Sequence, residues 1–174
     1  LVGQAAVPDA SYDAFTATYG SRVPLAQTFK SKLDNAEFTV VANHFKSKGS
    51  GTAAQGTDSG DGQGNSVIAR QKAAEQLKAW MDTQPTGSND ADILLLGDFN
   101  SYGQEAPITW LEANGYTKVS QGLSYSFDGL WGSLDHALAS SSLAGQVAGA
   151  YKWGINAEEP ALLDYNMEFK NDAQ

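Results

Sequence analysis

The chain has 174 residues, 41% of them hydrophobic, which is enough for one domain with a packed core. With 11 Lys+Arg against 20 Asp+Glu the net charge is −9, which argues against passive capture of nucleic acid but not against an enzyme that meets phosphate through a metal ion. The absence of cysteine excludes zinc–thiolate centres, thiol nucleophiles and disulfides, and no apolar run approaches the roughly 20 residues of a membrane-spanning helix.

Residues 1–20 are mixed and turn-rich. They carry no basic, apolar leader, and Leu1-Val2-Gly3 without a Met reads as the interior of a longer sequence. Residues 21–30 suit a short edge strand, with Pro24, which lacks the N–H that an inner ladder uses, limiting it to an edge or a strand start. Residues 37–45 are rich in β-branched and aromatic side chains and predict a strand that ends at His44, just before Lys46 and Lys48. A loop over 49–65 follows, with glycines at 49, 51, 56, 60, 62 and 64; loops of this length are usually functional or disordered. The spacing of Val67, Ala74, Leu77 and Met81 predicts an amphipathic helix over 66–82, with Asn65 or Ser66 as its cap. A polar linker over 83–90 leads to a strand at 92–97. A short helix over 105–113 is expected next, with Pro107 in its first turn and Gly115 as its stop. The rest reads as strands at 124–130, 133–139 and 146–153, with a turn at Asp128-Gly129 and a polar tail over 157–174. There is no internal repeat, and strands mixed with a few helices indicate a layered α/β or α+β domain.

The most telling stretch is 93–100, four aliphatic residues running into Gly97-Asp98-Phe99-Asn100. Asp98 and Asn100 are two residues apart, so an extended backbone points both to one face. Two hard oxygen donors on one face suit Mg²⁺, Mn²⁺ or Ca²⁺ and the phosphate such ions bind; a strand that merely ends in a turn uses the same residues. His44 closes a second strand. In Ser133-Leu134-Asp135-His136-Ala137-Leu138, Asp135 is an acid inside an apolar strand, costly unless paired or functional. His136 shares its face with Leu134 and Leu138 and is expected in the core. Lys46, Lys48 and Arg70 are candidate phosphate contacts. No Walker loop, Gly-x-Ser-x-Gly or His-Glu-x-x-His is present.

Several segments appear together and in order. They are Asn43-His44-Phe45-Lys46-Ser47-Lys48-Gly49, Gly60-Asp61-Gly62-Gln63-Gly64-Asn65, Gly97-Asp98-Phe99-Asn100-Ser101-Tyr102, Tyr125-Ser126-Phe127-Asp128-Gly129, Leu134-Asp135-His136-Ala137-Leu138 and Ile155-Asn156-Ala157-Glu158-Glu159-Pro160. As a set they resemble the endonuclease/exonuclease/phosphatase superfamily, the fold of deoxyribonuclease I, and within it the secreted bacterial nuclease branch. The resemblance covers about 40–165 and implies a two-sheet sandwich flanked by helices. It implies a histidine at His44 that bonds the scissile phosphate or helps the leaving oxygen. Asp98 then aligns the attacking water near the metal, Asn100 orients phosphate and metal-bound groups, and Asp135 lies beside the scissile phosphate. Lys46, Lys48 and Tyr102 are the implied substrate contacts, and Asp98 and Asn100 the implied metal ligands for Mg²⁺ or Mn²⁺, with Ca²⁺ as a further ion.

The implied activity is metal-dependent phosphodiester hydrolysis of DNA, or of RNA, by a secreted enzyme. The alternatives are a phospholipid or inositol-phosphate hydrolase of the same fold, and a catalytically silent fragment or binding module. The family's upstream half, with its asparagine and metal-binding glutamate, has no match here, nor has its final Ser-Asp-His strand. The chain is therefore expected to be one partial domain over 1–174, whose missing parts come from its own longer sequence or a second chain. Two smaller departures are Gly51 and Ser66, where relatives often carry a cysteine pair, and Gly154, where they often carry a histidine.

Overall fold

A computed structural model describes residues 1–17, 20–49, 51–127 and 130–153. Its centre is a six-stranded sheet. In chain order the strands are β1 (Val2–Ala6), β2 (Leu25–Lys30), β3 (Glu37–His44), β4 (Ile93–Asp98), β5 (Tyr116–Lys118) and β8 (Asp135–Ser140); β6 (Tyr125–Phe127) and β7 (Leu130–Gly132) form a separate two-stranded ribbon. The helices are α1 (Asp13–Thr16), α2 (Val67–Met81), α3 (Ala106–Ala113) and α4 (Ser141–Ala144). The spatial order is β1-β2-β3-β4-β8-β5. Among the strands of the described residues only β3 and β4 pair in parallel, joined by the crossover through α2; the other strand pairs are antiparallel. The architecture is the expected layered α/β domain.

One face of the sheet is dry. Val41, Leu95 and Leu138 lie on adjacent central strands and are fully buried with Ala73, Ala74 and Leu77 of α2 and Ile108 and Leu111 of α3. Burying each large aliphatic side chain contributes about 1.5–3 kcal/mol. Phe45 and Phe99 follow β3 and β4 and meet edge to face at 4.9 Å, sealing this core at the rim where both strands end. The opposite face carries Phe29 stacked on Phe38 at 5.8 Å, together with Leu94 and Leu96, which are only partly buried.

Several expectations are corrected. The strand within 21–30 starts at Leu25 and is not an edge, since β1 pairs along its outer side. Pro24 falls just outside the ladder, so its missing N–H costs nothing there. Neither Asn65 nor Ser66 caps α2 through its side chain: Asn65 Oδ1 accepts from Asp58 N at 2.8 Å, and Ser66 takes a left-handed backbone with φ 64°. Residues 146–153 form no strand among the described residues, only an isolated bridge from Tyr151 to Gln121. The chain turns instead into α4, where Ser140 and Ser142 hydroxyls donate to Ala91 O at 2.8 and 2.9 Å. The expected turn at Asp128-Gly129, residue Gly154 and the 155–160 segment lie outside the described residues.

Candidate active site

The sheet register assembles the site. His44 at the end of β3 lies opposite Asp98 at the end of β4, and Asp98 lies opposite Asp135 at the start of β8. Directly paired residues share a face, so three chemically active side chains form one row across three strands at one rim. The next row, Asn43, Gly97 and His136, belongs to the helix-covered face, where Asn43 and His136 are buried. Gly97 has φ 132°, and a Cβ there would stand 2.0 Å from Asn43 O. Only glycine permits this approach of β4 to β3 just before Asp98.

The loop after β4 is fixed at both ends. Phe45 N donates to Asp98 O at 2.8 Å, and Phe99 N donates to Leu134 O at 2.9 Å. Asn100 then takes a left-handed backbone, φ 46°, which asparagine tolerates better than most residues. Its backbone N–H donates to Asp98 Oδ1 at 2.8 Å. Its side-chain amide donates to Asp98 Oδ2 at 3.1 Å and to Phe45 O at 3.0 Å. With both amide hydrogens placed, the amide oxygen is the end of Asn100 that meets a cation or a water.

His44 stands between two charged groups. Its Nε2 is 3.5 Å from Asp98 Oδ2 and 2.5 Å from the Arg22 guanidinium, whose backbone N–H also donates to His44 O. A guanidinium only donates, so Nε2 accepts and the imidazole proton sits on Nδ1 in this arrangement. Burial holds the Asp98 carboxyl above its ordinary range, and the nearby Asp135 charge adds to this. The Asn100 N–H and the Arg22 charge act in the opposite sense, as His44 does when it is protonated.

Lys46, Lys48 and Tyr102 are placed differently. Lys46 lies two residues past His44, and its backbone N–H donates to Ser21 Oγ at 3.0 Å. Lys48 forms an ion pair with Glu105, and its ammonium stands 4.7 Å over the Tyr102 ring. These two expected contacts meet each other and Glu105 rather than the row. Arg70 is not a surface phosphate contact at all: it is fully buried and donates to Ser101 Oγ at 3.1 Å, Asn65 O at 2.6 Å and Gln63 O at 2.7 Å, with Glu105 at 3.5 Å. His136 donates through Nε2 to Ser101 O at 2.8 Å, and burial lowers its pKa below the ordinary histidine value. Arg22 and the bracing role of Ser101 were missed in the sequence. A single arginine before Val-Pro gives no signal, and its place beside His44 depends on β2 and β3 pairing across a turn.

Asp98, Asp135 and the Asn100 amide are hard oxygen donors in one place. Mg²⁺ keeps several waters and needs only one or two carboxylates, so this donor set fits such an ion. A cation here also offsets the mutual repulsion of Asp98 and Asp135. Among the described residues, no three His, Cys, Asp or Glu side chains stand close enough to hold a metal ion by themselves.

No family model and no curated protein matches the sequence. Solved structures do match. An endonuclease/exonuclease/phosphatase family protein from Bacteroides thetaiotaomicron superposes with a TM-score of 0.50 at 19% identity, over 68% of this chain and 40% of that one. The mannosyl-6-phosphatase Bt3783 of the same bacterium gives 0.51 at 20% identity, over 69% of this chain and 43% of that one. A β-hairpin deletion mutant of Staphylococcus aureus β toxin gives 0.52 at 12% identity, over 87% of this chain and 55% of that one. The chain thus spans roughly half the length of these structures, and the mixed sheet with its flanking helices has the endonuclease/exonuclease/phosphatase fold, that of deoxyribonuclease I.

Proposed function

We propose that this chain carries part of the active site of a metal-dependent phosphodiesterase of secreted nuclease type, acting on DNA and also on RNA. The observation that supports this most is the single row His44–Asp98–Asp135 with Asn100 locked beside it. Phosphodiester hydrolysis needs an in-line water, a held phosphate and an acid–base group near the leaving oxygen. Asp98, held by two Asn100 donors and one partner strand on each side, orients the water and accepts its proton. Asn100 presents its amide oxygen to the same water or cation. His44 donates to the phosphate or to the leaving oxygen, and Arg22 supplies positive charge behind it. Asp135 completes the acidic side of the row. When bound, Mg²⁺ or Mn²⁺ held by Asp98 and Asn100, with Ca²⁺ as a supporting ion, neutralises charge on the phosphate.

Since the chain spans roughly half of the structures it resembles, the reading includes further parts of the same domain, from a longer sequence or a partner chain. Among the described residues no helix is long and apolar enough to cross a membrane, and the proposed setting is extracellular. The test is nicking of supercoiled plasmid with Mg²⁺, with Mg²⁺ plus Ca²⁺, and with EDTA. Metal-dependent nicking that disappears in Asp98→Ala is the expected result. Wild-type nicking by Asp98→Ala removes the site assignment. A second reading keeps the row and changes the substrate. One structural neighbour is a mannosyl-6-phosphatase, so turnover of a sugar phosphate and a phospholipid analogue belongs beside that of plasmid.

A further inference from the structure

A polar cavity of about 270 Å³ lies at the same rim, beyond β8. Gly103, Lys118, Gly122, Ser133, His136 and Lys152 contribute to its wall. His136 follows Asp135 directly but faces the helix-covered side of β8, so the cavity lies at the same rim as the row and across the strand from it. Lys152 also lines a second cavity together with Asp135, so it stands between the row and the polar cavity.

Two features mark this cavity out. The net charge is −9, yet two lysines converge here, and among the described residues neither forms an ion pair with a carboxylate. Lys152 is held by neutral oxygens instead, Gly122 O at 2.9 Å and the Ser133 hydroxyl. Lys118 reaches over Gly103, where a Cβ would come within 2.6 Å of its Nζ. Burial lowers the Lys152 pKa, the Asp135 carboxylate opposes this, and the Lys118 charge adds to the lowering.

We infer that the Lys118–Lys152 cavity is a phosphate-binding subsite that takes a second phosphate group of a polyanionic substrate while the first lies at the row. The anion site stands on the cavity itself; that its phosphate belongs to a nucleic-acid backbone rests on the proposed function. Two ammonium groups at one cavity, with glycines in its wall that admit close backbone approach, suit a tetrahedral oxyanion; the Ser133 hydroxyl, which donates to Asp135 O at 2.8 Å, holds Lys152 in place.

The test is an amide NMR titration of the full chain in EDTA, with inorganic phosphate in one arm and a short single-stranded oligodeoxynucleotide in the other. Both probes are expected to shift Gly103, Lys118, Gly122 and Lys152 saturably. Lys118→Gln is expected to weaken both by about tenfold, the loss of one charge-assisted contact, with an unchanged melting temperature. Lys118→Arg is expected to restore them. Absence of saturable shifts with either probe overturns the site, as do undiminished shifts in a folded Lys118→Gln chain. Shifts with phosphate alone overturn the substrate assignment, leaving a pocket for free phosphate. If both probes bind here while plasmid stays intact with metal, the nuclease reading fails and the anion site stands.

Discussion

Asp98 carries two opposing demands. In the proposed reaction its charge orients a nucleophile, yet burial and Asp135 make that charge unfavourable in the fold. Asp98→Asn is therefore expected to abolish turnover and to change how the melting temperature depends on pH. The folded carboxyl titrates above its ordinary value near 3.8, so the fold binds this proton more tightly than the unfolded chain does. The stability contributed by the neutral group is complete below that value and is lost as pH rises through the folded pKa. The melting temperature of Asp98→Asn relative to the unchanged chain should thus rise from acid to neutral pH, measured by thermal melts across the range. His136 works in the opposite direction. Its folded pKa lies below 6.5, so the unfolded chain binds the proton first as pH falls. Stability should drop below pH 6.5, and a melting temperature flat from pH 7 to 5 would contradict the buried neutral imidazole. His44, Asp98, Asn100 and Asp135 were legible because each is a polar residue at the end of, or inside, an apolar strand. Arg22 was not, because nothing local distinguishes it from a solvated arginine.

At the level of elements, α2 does more than cover the sheet. Through Arg70 it reaches Ser101 in the loop after β4 and the carbonyls of Gln63 and Asn65 in the glycine loop, while Glu105 at the start of α3 balances both Arg70 and Lys48. One buried guanidinium thus ties three segments together. Arg70→Leu leaves Glu105 buried with Lys48 alone and three oxygen acceptors without their donor. The expected cost is about 3–5 kcal/mol, measured by urea unfolding. Arg70→Leu with Glu105→Gln should recover part of that cost, and strict additivity of the two changes would argue against the network. The helix itself was readable from Val67, Leu77 and Met81, but the destination of Arg70 was not, because periodicity describes a face and not what meets it. β1 and the three-residue β5 escaped notice for a related reason. Their short, mixed sequences become strands only because β2 and β8 offer them edges.

Across the whole molecule the two faces of the sheet differ. Leu95 is fully buried under the helices, whereas its neighbours Leu94 and Leu96 are partly buried on the other side. Leu95→Ala should cost about 2–5 kcal/mol, and Leu96→Ala distinctly less, in the same unfolding measurement. Equal costs would mean that the second face is as well covered as the first. The alternation within 93–98 was hidden in the sequence, because four consecutive aliphatic residues read as a strand buried on both sides. The strand order was hidden as well, since β8 enters between β4 and β5 and no local signal sets that insertion. The same order carries a consequence for evolution of the site. The row is held together by registry alone, three strands drawn from positions 44, 98 and 135. Deleting Ala137, just before the β5 pairing, would slide the start of β8 by one step, turn Asp135 into the helical core and set Leu134 opposite Asp98 in its place. Such a chain would keep every site residue and lose its chemistry, so insertions and deletions in β8, more than substitutions, are the changes this architecture can least absorb.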